Sequence, residues 1–118
     1  MSQSLAQIYI HVIFSTKDRM PFLVGAEFRT EMHAYLASIM KAYESPAQIV
    51  GRTADHVHIL CALSRSATVA KVVGEAKRNS SKWIKTKGGD LELFQWQNGY
   101  GAFSVSRDYG RFYVTPAG

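Results

Sequence analysis

The sequence has a single cysteine, Cys61, so no intrachain disulfide can form and a reducing, cytoplasmic setting is the expectation. No apolar run is long enough to cross a bilayer. The N-terminal MSQSLAQ lacks a basic segment followed by an apolar stretch, so no secretory signal is expected. Repeats, low-complexity tracts and linkers are missing too, and 118 residues suit one domain. Acids are scarce, 9 against 14 Lys plus Arg, for a formal net charge of +5. A basic small domain points to a polyanionic partner, often nucleic acid, and the positions of the charges decide how far that goes.

What is present is a hydrophobic share of 47%, enough for a packed core. IYIHVIFS (8–15) is β-branched and aromatic and reads as a buried strand. Pro21 and Gly25 mark the loop after it. Phe28, Met32, Leu36, Ile39 and Met40 recur at helical spacing, which predicts a helix over 26–43. Ser45-Pro46 ends that helix, since proline lacks an amide hydrogen and restricts its predecessor. AQIVGR (47–52) and HVHILCAL (56–63) read as a hairpin across the short TAD. A second helix is expected over about 67–86, capped by Ser66 or Thr68 and stopped at Lys87-Gly88-Gly89-Asp90. A last strand is expected at about 100–106. The order β-α-β-β-α-β predicts an α+β, ferredoxin-like fold: a four-stranded antiparallel sheet with two helices on one face.

ADHVHIL (54–60) puts two of the four histidines two residues apart in an apolar run. Strand alternation sets His56, His58, Leu60 and Ala62 on one face and Val57, Ile59, Cys61 and Leu63 on the other. The wholly apolar set is the expected core set, so the histidines should project together from the opposite face. Adjacent neutral imidazoles can bind a divalent metal. Two histidines on an exposed strand face can equally be plain surface residues. Asp55 beside them reads either as an outer carboxylate of such a site or as an exposed turn acid.

ADHVHIL resembles the histidine–hydrophobic–histidine (HUH) motif of the single-tyrosine transposases, the insertion-sequence type and the REP-associated tyrosine transposases. YIHVIFSTKDRMPFL resembles that family's first strand and loop, AKVVGEAKRNSSKWIK its second helix, and FQWQNGYGAFSVS the segment leading into its last strand. Four blocks in order are far more specific than one H-x-H. The resemblance implies the ferredoxin-like fold read above. It implies that His56 and His58 hold magnesium or manganese at a scissile phosphodiester of single-stranded DNA, often at hairpin ends. It also implies that a tyrosine forms a 5′-phosphotyrosine link and frees a 3′-OH, and that the protein is a homodimer in which one subunit's tyrosine helix completes the other's site.

Lys71, Arg78, Lys82 and Lys85 fall on one side of a helical wheel, opposite Val69, Val72, Val73, Ala76, Ser80 and Trp83. They are candidate DNA-backbone contacts, as are Lys17 and Arg19 in the first loop; a solvated lysine face is the other reading. Trp83 is expected in the core. Trp96, Tyr100 and Phe103 are read as packing residues, with base stacking as the alternative.

After Ser104-Val105-Ser106 the chain departs from the pattern of the resemblance. The family's tyrosine would fall near Pro116, and no glutamine follows it. Tyr109 and Tyr113 are the remaining candidates for a nucleophile; ordinary aromatic tail residues are the other reading. The expected organisation is a transposase-like domain over 1–106 and an atypical tail over 107–118. The expected function is DNA nicking and rejoining. The alternative is a truncated, catalytically inactive transposase that keeps DNA binding and dimerisation.

Overall fold

The structure is a computed structural model that describes residues 8–108 and 111–116, with side chains through residue 105. The elements in chain order are β1 (Ile8–Ser15), α1 (Ala26–Ala42), β2 (Ala47–Arg52), β3 (His56–Leu63), α2 (Val69–Lys85), β4 (Gly101–Asp108) and β5 (Arg111–Pro116). The strands form one sheet in the order β2-β3-β1-β4-β5, with every neighbouring pair antiparallel. The first six elements are the predicted α+β arrangement, with β1 central between β3 and β4. β4 runs through the 106/107 boundary to Asp108, and β5 then extends the sheet at the edge of β4.

Local chemistry accounts for the helices. In α1 the residues Met32, Leu36, Ile39 and Met40 are buried at helical spacing. The chain leaves that helix through Glu44, at φ 55°, and Pro46 then prevents the turn from continuing. In α2, Thr68 is the cap, and its hydroxyl oxygen accepts from the Lys71 amide at 3.1 Å. Trp83 lies between the rings of Phe28 and Tyr35, stacked at 5.8 and 5.0 Å, so it ties α2 to α1, half-buried against the core and not within it as expected.

Both helices cover one face of the sheet. Val72, Val73, Ala76 and Ile84 of α2 and the buried row of α1 share a core with Ile10, Val12 and Phe14 of β1 and Val57, Ile59 and Cys61 of β3. Burial raises the Cys61 thiol to about 11, which leaves it protonated and inert. Since side chains alternate, His56 and His58 project from the other face, as predicted. That face is not bare along its length. Leu60 and Ala62 are only 8% exposed each, and the register sets them opposite His11 and Tyr9 of β1. The histidines therefore occupy the polar end of an otherwise apolar surface.

Thr16 fastens this end. Its amide donates to the Asp55 carbonyl at 2.8 Å and its buried hydroxyl donates to the Met20 carbonyl at 2.7 Å. The Leu23 amide donates to the Ala54 carbonyl at 2.9 Å. The loop after β1 is thereby bolted to the β2–β3 turn, which places residues 16–20 beside the histidines. Asp18 and Arg19 both adopt positive φ, 55° and 58°, a conformation these bonds impose on non-glycine residues.

Candidate functional site

His56 and His58 line an open depression of about 350 Å³ together with Ile13 and Ser15 of β1, Arg19 of the first loop, and Asn98, Gly99 and Tyr100 of the segment before β4. The two rings meet edge to face at 4.7 Å between centroids. Their placement follows from the strand period alone, but the way each ring is held does not.

The Nδ1 atom of His56 lies 2.7 Å from Asp55 Oδ1 and 2.7 Å from Thr53 Oγ1. A carboxylate can only accept, so Nδ1 carries a hydrogen, and in the neutral ring Nε2 has the lone pair. The other Asp55 oxygen, Oδ2, accepts from Arg19 Nε at 3.1 Å. The His56 hydrogen bond, followed by that from Arg19, holds the Asp55 carboxyl at about 2 against an ordinary value of 3.8. Asp55 is therefore a bonded partner of His56 and Arg19 and not a solvated turn acid.

The Nδ1 atom of His58 faces His11 Nε2 at 3.1 Å, and these two rings stack at 5.2 Å. Register explains the contact. His58 is opposite Ile13 and His11 is opposite Leu60, so the two histidines are diagonal neighbours on one face. Burial lowers the pKa of both; for His58 the nearby His56 and His11 lower it further.

Those shifts predict a pH dependence. Unfolded, both groups take up protons near 6.5; folded, they stay neutral to lower pH. Their contribution to stability is therefore complete above pH 6.5 and is lost as pH falls through the lowered folded values. Asp55 acts lower down: its contribution is present above 3.8 and is lost as pH falls through about 2. In chelator-treated buffer the urea midpoint is expected to drop between pH 7 and 5.5. His58→Leu should flatten that drop, and an equally steep drop in the variant would refute the assignment.

With both Nδ1 atoms engaged, Nε2 is the nitrogen that these contacts leave unused in each ring; at His58, which nitrogen carries the hydrogen depends on which partner of the His11 pair donates. This is how metal-binding histidines are oriented, with the second nitrogen held by a neighbour. Among the described residues, no group of three or more His, Cys, Asp or Glu is arranged to hold a metal ion. The donor set is thus two imidazoles, which suits a cation that keeps its other positions for water or phosphate oxygens.

The segment that closes the depression is fixed from α2. The Lys77 ammonium donates to the carbonyls of Gln97 at 2.6 Å and Gly99 at 2.9 Å, and its partial burial lowers its pKa. The Gln97 amide donates to the Ser15 carbonyl at 2.8 Å. Gly99 turns the chain at φ 85°, a conformation that favours glycine. Trp96 packs edge-on against Phe14 and Phe94 at 4.7 Å each and donates through Nε1 to Ser80 Oγ at 3.0 Å. Of the aromatics in this region Trp96 is a packing residue, whereas Tyr100 remains 43% exposed at the rim.

Not every residue singled out in the sequence arrives at this site. Arg19 does, and Lys17 is exposed beside it. The expected basic row of α2 forms and is exposed, but α2 packs on the opposite face of the sheet. Lys71, Arg78, Lys82 and Lys85 therefore point away from the histidines. Within the row, Arg78 donates to both oxygens of Glu75, at 2.9 Å through Nε and 2.7 Å through Nη2, and Lys71 lies 3.5 Å from the same carboxylate. Tyr43 also donates to Glu75, at 3.0 Å. Glu75 thus offsets much of two of the four charges, which leaves Lys82 and Lys85 as the more available charges of the row.

Tyr109 lies outside the described residues, and Tyr113 is described only in its backbone. Tyr113 stands opposite Ser106. The His58 row crosses Ile13 and reaches β4 at Gly101, three strands in from the Tyr113 backbone and five residues along. Usual spacings make that roughly 14 Å across the sheet and roughly 17 Å along it. Within one protomer the Tyr113 backbone is thus remote from the histidine row.

Residues 4–113 match the family model described as "Transposase IS200 like". The match runs past Ser106, beyond the point where the resemblance in the sequence breaks off. No curated protein matches in sequence. A protein of Deinococcus radiodurans R1, solved as a candidate transposase, superimposes with a TM-score of 0.78 at 20% identity over 90% of this chain and 87% of that one. A REP-associated tyrosine transposase solved bound to a REP hairpin superimposes with a TM-score of 0.61 at 11% identity; it covers 92% of this chain, which spans 64% of that protein. Identities this low speak to the fold.

Proposed function

The chain belongs to the IS200-like transposase family, and from that premise we propose that it binds single-stranded DNA ends folded into hairpins and nicks and rejoins them at the histidine depression. The observation that carries this reading is that His56 and His58 line one open depression and that Nδ1 of each is engaged by a neighbouring side chain.

In this reading His56 and His58 hold a divalent cation, magnesium or manganese, through Nε2. When bound, that ion supplies Lewis acidity and positive charge at a phosphodiester oxygen. Asp55 keeps the His56 ring in its ligand orientation and holds Nε of Arg19, and the outer guanidinium nitrogens would then serve the phosphate. Tyr100, exposed at the rim, offers a face on which an unpaired base stacks.

The nucleophile in this reading is a tyrosine. Its oxygen bonds to phosphorus as the bond to the 3′-oxygen breaks, so the 5′-phosphotyrosine link retains the energy needed for rejoining. The candidates are Tyr109 and Tyr113. The separation of Tyr113 from the histidines within a protomer favours delivery by a second copy, so the protein is proposed to act as a homodimer.

The test is incubation with a labelled hairpin-bearing single strand and Mn²⁺ or Mg²⁺, followed by denaturing gel. A covalent protein–DNA adduct is expected, lost in Tyr109→Phe or in Tyr113→Phe. Mixing an inactive tyrosine variant with an inactive histidine variant should restore cleavage if the active unit is a dimer. Hairpin binding with no adduct would overturn the catalytic part and leave a binding protein.

Lys82 and Lys85 are proposed as backbone contacts for the hairpin stem. Lys82→Gln with Lys85→Gln is expected to lower the slope of log affinity against log salt by roughly 1.5 to 2, the effect of two lost phosphate contacts. Arg78→Gln should lower it less than Lys82→Gln alone does, because Glu75 already takes much of that charge. Equal effects would refute the ranking.

A further inference from the structure

His11 was not a candidate in the sequence. It is one of eight residues in a buried-looking strand, and nothing local sets it apart. The fold puts its Nε2 3.1 Å from Nδ1 of His58. At that distance one nitrogen must carry a hydrogen and the other a lone pair, since two hydrogens would clash and two lone pairs would repel. Two arrangements satisfy this. If His58 donates, its Nε2 has the lone pair and can bind a cation. If His11 donates, His58 is left with a hydrogen on Nε2 and cannot.

We propose that His11 is a positioning residue: it accepts from His58 Nδ1–H and so fixes His58 in the tautomer whose Nε2 is the ligand. The inference rests on the cation reading given above and adds to it a residue that touches neither ion nor DNA. It makes the two ligand histidines equivalent. His56 has its Nδ1 held by the Asp55 carboxylate and His58 has its Nδ1 held by the His11 imidazole. The two holders differ in kind. A carboxylate admits only one tautomer of its partner, whereas an imidazole must itself be in the right tautomer, with its own hydrogen on Nδ1.

The stacking supports a fixed geometry. The His11 and His58 rings are 18° from parallel at 5.2 Å, and both strands that carry them are paired on both sides. Neither ring can turn without breaking this contact, so the hydrogen bond is preset before any ligand arrives.

The experiment compares wild type with His11→Gln and His11→Leu. Glutamine places an acceptor oxygen as many bonds from Cα as Nε2 is; leucine has none. The first readout is the tautomer of His58 in metal-free protein, read from ¹⁵N chemical shifts and two-bond couplings. Wild type and His11→Gln are expected to carry the His58 hydrogen on Nδ1. His11→Leu is expected to shift it toward Nε2, the tautomer that free histidine side chains favour. The second readout is Mn²⁺ affinity by electron paramagnetic resonance, expected to fall about 10- to 100-fold in His11→Leu and to recover in His11→Gln. A His58 hydrogen on Nε2 in wild type, or a tautomer unchanged by leucine, would overturn the proposal. Wild type that binds no Mn²⁺ while its His58 carries the hydrogen on Nδ1 would instead overturn the cation reading, and the tautomer data would still decide the role of His11.

Discussion

Replacing His56 and His58 together by alanine is expected to lower hairpin nicking by about 1,000-fold or more, with hairpin affinity changed only slightly. Losing one preorganised group that stabilises transition-state charge typically costs about 10²- to 10³-fold; here both protein donors to the cation go at once. Binding should survive because the phosphate contacts proposed for Lys82 and Lys85 lie on the far side of the sheet. The fold should survive as well, because neither imidazole belongs to the buried cluster beneath the helices. Asp55→Asn should be milder, about 10- to 100-fold, since it leaves the ligand in place and removes only the charge that orients it. Single-turnover cleavage rates, with circular dichroism as a folding control, decide the matter. Nicking within about threefold of wild type in the double variant would mean that the chemistry lies elsewhere.

Phe94→Ala is expected to destabilise the protein by about 3–5 kcal/mol, the usual cost of deleting a fully buried aromatic side chain. Phe94 is 0% exposed and meets Phe22 and Trp96 edge to face at 5.3 and 4.7 Å. Since a domain of this size has about 5–15 kcal/mol in total, one substitution removes about a fifth of it or more. The same change reaches the site. Phe94 anchors the chain immediately before Trp96 and the Asn98–Tyr100 rim, so nicking should fall even at temperatures where the variant remains folded. Urea denaturation measures the first effect. A loss below about 1 kcal/mol would show that the surrounding rings close the cavity, and the packing account would then fail.

The spans of both helices and of the first three strands were legible because they depend on local period. Met32, Leu36, Ile39 and Met40 mark a helical face wherever that helix packs, and Thr68 caps α2 through an oxygen that reaches only three residues. β5 was not legible: its sequence, RFYVTP, lies where the resemblance to known transposases breaks off, and only pairing with β4 makes it a strand. The basic row of α2 was legible as a row, but its side of the molecule was not. A helical wheel fixes directions relative to the helix axis and says nothing about which face of a sheet the helix covers.

The sequence by itself determined that His56 and His58 leave β3 on one side and Val57, Ile59 and Cys61 on the other, because alternation is built into an extended backbone. It also determined the family, through blocks that keep their order along the chain. Only the tertiary structure decided what holds each imidazole. His11 reaches His58 through the β1–β3 register, and Arg19 reaches Asp55 because Thr16 ties the first loop to the β2–β3 turn. Those partners are separated by 47 and 36 residues. Contacts at such separations are set by strand pairing and packing over the whole sheet, and no local pattern in the chain encodes them.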